Sequence, residues 1–219
     1  MKLFIYGAGG QGRVLLRLTR EINAMDICWD EILFADDVLH EQNILGARVY
    51  PFSEIMKNFD SGKVEFVISL GEPEHRRFLF ERVTKAGYSF CNPIDPDKEN
   101  KKYNFFGKGV VISNGTQTRN NVSIDDNTYI ANAIIGHDSK IGKHSFISAH
   151  AIIGGGCTIG SGTYIGLNAT IKDHITIGSN VIVCMGACVF KDLPDNVKVI
   201  GNPAQVIPSI SGHKVFSNI

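Results

Sequence analysis

The sequence predicts a two-domain chain, with a small parallel α/β domain followed by a parallel β-helix of hexapeptide repeats. Three observations predict it. An aliphatic residue recurs at every sixth position in the C-terminal half, a glycine-rich turn follows the first strand, and a proline-broken polar stretch separates the two regions. A chain of 219 residues is long enough for two domains of this size.

The six-residue period is the strongest signal in the chain. The repeating positions are Ile135, Ile141, Ile147, Ile153, Ile159, Ile165, Ile171, Ile177, Val183 and Val189. Helices repeat near 3.6 residues and strands at 2, so a strict period of six indicates a supersecondary unit stacked on itself. Short strands in an ordinary sandwich would not hold one phase for so long. In left-handed β-helices three hexapeptides form one coil of about eighteen residues.

The repeat contains one irregularity. The step from Ile130 to Ile135 is five residues, which places a dropped residue immediately before His137. A local break in a regular pattern is where function is often found, so we expect the functional site beside it.

The N-terminal region has the order strand, glycine turn, helix that opens a βαβ unit. Lys2 to Tyr6 predicts a strand, and Gly7, Gly9 and Gly12 satisfy G-x-G-x-x-G before a helical pattern. Such a turn brings backbone N–H groups and a helix N-terminus against a phosphate. The alternative is a tight connection that binds nothing.

Two further strands complete a Rossmann-like half fold. One ends in Asp36 and Asp37, where such folds place an acid on a ribose or base, and the other, Val64 to Leu70, is closed by Gly71. Half of a dinucleotide fold suits one nucleotide better than NAD. Arg76 and Arg77 on the next predicted helix are interpreted as surface charges rather than phosphate ligands.

The predicted organisation has four parts. They are a nucleotide-binding domain at 1–91, a connector at 92–106, the β-helix at 107–205 and a C-terminal tail at 206–219. The polar, proline-containing composition after Cys91 is typical of a connector.

Charge and composition exclude several partners. There are 22 Lys and Arg against 22 Asp and Glu, so electrostatics favours neither nucleic acid nor an anionic membrane. No apolar run reaches membrane-spanning length, and the N-terminus lacks the features of a signal peptide. Five cysteines without a CxxC pair favour a reduced, cytoplasmic chain.

The candidate chemistry is a histidine followed by an aspartate. Asp138 could fix one tautomer of the His137 imidazole and raise its basicity, as general-base catalysis near neutral pH requires. A zinc site of the kind found in β-helix carbonic anhydrases needs two histidines five residues apart. His137, His144 and His150 lack that spacing, so no metal is expected.

These motifs, in this order, resemble the bacterial nucleotide-sugar acetyltransferases of the NeuD/PglD type over nearly the whole chain. The resemblance is carried by the glycine turn, Asp36-Asp37, Gly136-His137-Asp138 and the closing Gly201-Asn202-Pro203-Ala204. It implies a homotrimer with active sites between subunits. It also implies that acetyl-CoA and a UDP-, dTDP- or GDP-linked amino sugar are the substrates, in surface-glycan synthesis.

The resemblance also implies roles for individual residues. His137 corresponds to the catalytic base and Asp138 to the acid that orients it, while Gly155, one coil further, would direct its N–H at the acetyl carbonyl. The acetyl-CoA arm would be lined by Gly166, Leu167, Met185, Gly186, Gly201 and Pro203. The nucleotide sugar would be bound by Gly7, Gly9, Gly10, Gln11, Asp36, Asp37 and Gly71.

Three positions depart from the family pattern. Gln11 stands where a histidine is common, Phe146 occupies another frequent histidine position, and Gln205 replaces a basic residue. Two alternative functions stay open. One is O-acetylation of sialic acid or a related sugar, and the other is a non-catalytic β-helix scaffold.

Overall fold

The computed structural model describes residues 1–39, 41–94, 102–207 and 214–216. Parts of the predicted connector and of the predicted tail lie outside the described residues.

The N-terminal domain is a six-stranded sheet with helices on both faces. Its strands lie in the order β3-β4-β2-β1-β5-β6, and all pairs are parallel except β3 with β4. The elements are β1 Lys2–Tyr6, α1 Gly10–Met25, β2 Glu31–Ala35, β3 Asn43–Ile44, β4 Ala47–Tyr50, α2 Phe52–Asn58, a 3-10 turn Ser61–Lys63, β5 Val64–Ile68, α3 Pro73–Lys85 and β6 Ser89–Phe90.

Strand β1 is the centre of this domain. Leu3, Phe4 and Ile5 are all fully buried, because a parallel sheet is covered on both faces. The three predicted strands are present, although β5 ends at Ile68 rather than Leu70. No helix or strand was predicted between residues 38 and 63, where β3, β4 and α2 form. These elements are too short to show a clear period.

The C-terminal half is the predicted β-helix, with two-residue strands on three faces. The docked face, which lies against the N-terminal domain, holds β8 Val111–Ile112, β11 Tyr129–Ile130, β14 Phe146–Ile147, β17 Tyr164–Ile165, β20 Ile182–Val183 and β22 Lys198–Ile200. The first open face holds β7 Phe105–Phe106, β10 Ser123–Ile124, β13 Lys140–Ile141, β16 Thr158–Ile159 and β19 Thr176–Ile177. The second open face holds β9 Gln117–Thr118, β12 Ile134–Ile135, β15 Ile152–Ile153, β18 Thr170–Ile171 and β21 Cys188–Val189.

The ten repeating aliphatic side chains fill the β-helix as predicted. None of them is more than 2% exposed. Burying each such side chain contributes about 1.5–3 kcal/mol, which makes this column the main source of stability in the domain.

Strand register locates the irregularity of the repeat. Phe146 pairs with Tyr164, eighteen positions on, whereas Tyr129 pairs with Phe146, seventeen positions on. The missing residue is in the short corner around Asn132, between β11 and β12. His137 lies at the following corner, after β12. The expectation that the break directly flanks His137 is therefore wrong, because a strand separates the two.

The two domains are joined by an aromatic stack and a buried arginine. Phe146 lies between Tyr129 and Tyr164, with ring centroids 5.0 and 5.8 Å away. Arg76 is fully buried and donates hydrogen bonds to the carbonyl oxygens of Ile68, Leu70 and Asn127. Interpreting Arg76 as a surface charge was wrong, because its guanidinium connects α3, the end of β5 and the β-helix. Arg77 is exposed, as predicted.

The end of the chain returns to the N-terminal domain. After a turn at 201–204, which contains a cis Asn202–Pro203 bond, β23 Gln205–Ile207 pairs antiparallel with β22. The Glu72 carboxylate accepts hydrogen bonds from the backbone N–H groups of Val215 and Phe216. Among the described residues no helix is long and apolar enough to span a membrane, and none of the five cysteines is in a disulfide.

Candidate active site

The β-helix has three corners, and each is named here by one residue. The His137 corner joins the second open face to the first and comprises 119–122, 136–139, 154–157 and 172–175. The His144 corner, which leads into the docked face, comprises 107–110, 125–128, 142–145, 160–163 and 178–181. The Met185 corner leads out of the docked face and comprises 113–116, 131–133, 148–151, 166–169 and 184–187.

The His137 imidazole is held by its neighbouring carboxylate. His137 Nδ1 lies 2.7 Å from Asp138 Oδ2, and the other carboxylate oxygen accepts a hydrogen bond from Asn121 Nδ2 at 2.6 Å. The hydrogen bond from Asn121, followed by that from His137, lowers the pKa of Asp138. An ionised carboxylate is an acceptor, so Nδ1 carries the proton and Nε2 presents its lone pair. The side chain of His137 is 65% exposed, so Nε2 can meet a substrate.

Gly155 lies directly beneath this ring. A Cβ at Gly155 would be 2.7 Å from His137 Cε1 and Nε2, closer than real atoms approach. A side chain at this position would therefore displace the imidazole from the place it occupies. The Gly155 N–H donates to Asp173 Oδ1 at 2.9 Å, rather than being left open for a carbonyl group as the resemblance implied.

Sequence reasoning missed Asp173 and His174 at this corner. Both are exposed one coil below Gly155, and the ring of His174 lies where a Cβ at Gly156 would be. Their spacing of 36 positions from His137 and Asp138, two coils of eighteen, was a signal that could have found them.

The residues assigned to the acetyl-CoA arm share the Met185 corner and the turn that ends the β-helix. Leu167 and Met185 are 46% and 71% exposed in successive coils, and Gly186 N–H donates to the Leu167 carbonyl oxygen. Gly166 is buried, and a Cβ there would lie 2.6 Å from the Met185 nitrogen, so this position has no room for a side chain. Gly201 and Pro203 lie in the turn that follows β22. The second open face separates this corner from His137 within one chain.

The glycine turn has the form needed to approach a phosphate. Gly7 has φ +104, and a Cβ at Gly12 would lie 2.0 Å from the Gly7 carbonyl oxygen, so both positions require glycine. Gly9 caps α1 and Gly10 begins it. Both are exposed, and a Cβ on either would meet none of the described atoms within 4 Å.

Asp36 and Asp37 are both engaged by their own chain. Asp36 accepts from the N–H groups of Ala8, Val38 and Leu39, and so holds the glycine turn. Asp37 accepts from the Tyr6 hydroxyl at 2.6 Å and from Arg82 at 2.5 Å. The two carboxylates line a cavity of about 450 Å³ beside β4.

Three positions near the strand ends have unexpected neighbours. Gln11 Nε2 donates to the Tyr129 hydroxyl at 2.5 Å, which links α1 to the β-helix. Gly71 is covered by Phe216, whose ring would be 2.9 Å from an added Cβ. The departure at Phe146 is explained by the aromatic stack, in which this side chain is 6% exposed.

In the part of the chain that the structure describes, no group of three His, Cys, Asp or Glu residues could hold a metal ion.

Comparisons with known proteins match both halves of the chain. Residues 2–83 match the PglD N-terminal domain, and residues 138–173 match the bacterial transferase hexapeptide of six repeats. A search of curated proteins found no match.

Solved structures match over nearly the whole chain. The acetyltransferase domain of PglB from Neisseria gonorrhoeae is 26% identical with a TM-score of 0.86, covering 94% of this chain and 99% of that chain. That domain was also solved in complex with acetyl coenzyme A. WeeI from Acinetobacter baumannii (24% identity, TM-score 0.85, 94% and 100% covered) and PerB from Caulobacter crescentus (23%, 0.84, 95% and 98%), solved with CoA and GDP-perosamine, share the fold.

The β-helix of hexapeptide repeats, the likeness to the gonococcal acetyltransferase domain and the exposed His–Asp pair define the class of protein: it is an acetyltransferase built on hexapeptide repeats. Its PglD-like N-terminal domain narrows the class further. The predicted resemblance to bacterial nucleotide-sugar acetyltransferases of the NeuD/PglD type is confirmed.

Proposed function

We propose that the protein transfers the acetyl group of acetyl-CoA to the amino group of a nucleotide-linked amino sugar, with His137 as general base. The observation that carries this proposal is the pairing of His137 Nδ1 with Asp138 on an exposed corner, which leaves Nε2 free to accept a proton. The acetyl-CoA complex of the gonococcal PglB domain supports the choice of acyl donor.

His137 performs the proton transfers. As the sugar nitrogen attacks the thioester carbonyl, Nε2 accepts a proton from the nitrogen, and Asp138 stabilises the imidazolium that forms. The C–S bond then breaks, and His137 returns the proton to the leaving sulfur. The products are the N-acetyl sugar and CoA, and no covalent enzyme intermediate is needed because both substrates are held side by side.

Gly155 supplies space and a backbone donor. Its missing side chain leaves room for the imidazole, and its N–H would stabilise the oxyanion of the tetrahedral intermediate once Asp173 releases it. The exposed Leu167 and Met185 provide an apolar surface for the pantetheine arm.

The N-terminal domain would hold the nucleotide. The exposed Gly9 and Gly10 at the start of α1 would face the diphosphate, and the cavity beside Asp36 and Asp37 would take the nucleoside. Since both carboxylates already hold their own turn, their contribution is mainly to fix its shape.

The active site is proposed to be completed by a neighbouring subunit of a homotrimer in the cytoplasm. With its side chain 65% exposed, His137 forms one wall of a site and leaves the opposite wall to another chain. Light scattering after gel filtration should give about 72 kDa, three times the chain mass of 24.0 kDa. A monomer that turns over would contradict the shared site.

The substrate is tested with a panel of acceptors. The protein is incubated with acetyl-CoA and UDP-, dTDP- or GDP-linked 4-amino-4,6-dideoxy sugars, while thiol release and product mass are followed. One nucleotide series should yield an N-acetyl product, and the matching sugar with a hydroxyl in place of the amine should not react. Acetylation of free sialic acid without any nucleotide requirement would overturn the proposal in favour of O-acetyl transfer.

A further inference from the structure

Aspartates accept hydrogen bonds from backbone N–H groups at four places in the described β-helix. At one of them Asp192 accepts from Thr176, the first residue of β19, and the other three lie at corners. Asp126 accepts from Lys108 N–H at 2.9 Å, Asp195 from Ser179 N–H at 2.7 Å, and Asp173 from Gly155 N–H at 2.9 Å. In each case the carboxylate comes from the following coil and satisfies a corner N–H that the strand ladders leave over. The device itself is structural.

The third cap differs from the other two in what it covers. Asp126 and Asp195 accept from N–H groups at the His144 corner, away from His137. Asp173 instead holds the N–H of the glycine on which the His137 imidazole rests. The hydrogen bond to Asp173 therefore occupies the Gly155 N–H, which the proposed reaction needs.

One N–H makes one well-aligned hydrogen bond, so the Gly155 donor cannot serve Asp173 and a thioester carbonyl at full strength together. A carboxylate is also the stronger acceptor of the two, because hydrogen bonds to ionised groups are roughly twice as strong as those between neutral groups. Binding of the acetyl group must therefore displace Asp173 from Gly155.

Displacement is sterically open. Asp173 and its neighbour His174 are exposed, so the carboxylate can turn into solvent. If it remained in place, it would put a second negative charge beside the developing oxyanion, which would oppose the reaction.

We propose that Asp173 is a positioning residue that occupies the Gly155 N–H in the free enzyme, so that the acetyl carbonyl must displace it to bind. This inference rests on the proposed function. It predicts that Asp173 weakens the binding of acetyl-CoA specifically through the carbonyl group, and leaves the rest of the CoA molecule unaffected.

The test compares two ligands on four proteins by calorimetry. The ligands are acetyl-CoA and S-ethyl-CoA, a thioether of similar size that lacks the carbonyl oxygen. The proteins are the wild type, Asp173→Ala, Asp173→Asn and the matched control Asp195→Ala, which removes an equivalent cap elsewhere.

Removal of the carboxylate should tighten acetyl-CoA binding about fivefold in Asp173→Ala, a change within the range of single hydrogen bonds. Asp173→Asn, whose amide oxygen is a weaker acceptor, should give a smaller gain. S-ethyl-CoA should bind all four proteins equally. Asp195→Ala should match the wild type with both ligands, although it should lower the melting temperature as much as Asp173→Ala does.

Two results would overturn the inference. Equal shifts for both ligands, or none, would show that Asp173 is a corner cap and nothing more. Weaker acetyl-CoA binding in Asp173→Ala would show that the carboxylate supports the site. If Asp173→Ala is too unstable to measure, Asp173→Asn decides. A wild type that binds neither ligand would instead refute the proposed function itself.

Discussion

His137 and His144 lie on two corners of one β-helix, and their surroundings differ in every respect. His137 is mostly exposed and pairs with a carboxylate. His144 lies under α3, where its Nδ1 is 2.9 Å from Asn127 Nδ2 and its ring meets the edge of Phe80. Arg76 donates to Asn127 Oδ1, which fixes the amide so that Nδ2 is the donor.

These partners give the two rings opposite tautomers. His137 carries its proton on Nδ1 and presents a basic Nε2. His144 accepts at Nδ1 and therefore carries its proton on Nε2. Burial first, then the charges of Arg76, Arg77 and Lys143, lower the pKa of His144 to about 4, against a smaller opposing effect of Asp126. Such a ring is a poor proton acceptor at neutral pH.

The difference shows that the hexapeptide repeat determines where the two histidines lie, whereas the surrounding side chains determine the exposure and the tautomer of each ring. The two histidines occupy adjacent slots of equivalent corners, since Gly136 and Gly142 each follow a core isoleucine. The His137 corner faces solvent, whereas the His144 corner is covered by the N-terminal domain. The first histidine is therefore suited to catalysis and the second to holding the domains together.

The largest effect on stability is expected in the buried region around His144, where Arg76 lies. Arg76→Met should lower the free energy of unfolding by about 3 kcal/mol or more, because the carbonyl oxygens of Ile68, Leu70 and Asn127 lose their donor. Arg77→Met, at the exposed neighbouring position, should change it by less than about 0.5 kcal/mol. Urea unfolding measures both. Equal losses in the two variants would show that Arg76 does not join the domains.

On the exposed side, Gly155→Ala should lower turnover about a hundredfold, because the added Cβ forces the His137 ring from its place. The backbone at Gly155 is outside the left-handed region, so alanine should fold normally. Gly62→Ala, where an added Cβ meets Asp60 only at 3.6 Å, is the control and should retain full turnover. Normal turnover in Gly155→Ala would show that catalysis does not depend on the position of the His137 ring above Gly155.

The features that follow a regular sequence pattern could be predicted from the sequence. Each of the ten aliphatic positions predicted to fill the β-helix is buried, and the glycine turn leads from β1 to α1. It could not predict Arg76, since an arginine on a helix is buried only when a second domain happens to cover it. Asp173 was missed although the coil length of eighteen residues already placed it one coil after Gly155. Its hydrogen bond to the Gly155 N–H is visible only in the structure.

A pH titration sharpens the comparison with a smaller effect. The folded-state pKa of His144, about 4, is below the ordinary value of 6.5, so the unfolded chain takes up a proton first as pH falls. The contribution of His144 to stability is fully present above about pH 6.5. The free energy of unfolding should fall by roughly 1–2 kcal/mol as the pH is lowered toward 4. This is less than the pKa difference alone would give, because the ring is only half-buried and solvent screens it. His144→Asn should remove this part of the pH dependence. An unchanged profile would mean that His144 does not titrate on unfolding.

The assignment of chemistry to one histidine and stability to the other is tested most directly by thiol release from acetyl-CoA, with melting temperatures, in His137→Asn and His144→Asn. His137→Asn should lose at least about a hundredfold in turnover and melt like the wild type, as expected for an exposed general base. His144→Asn should melt at a lower temperature and keep its turnover within about twofold. Undiminished turnover in His137→Asn would contradict the account.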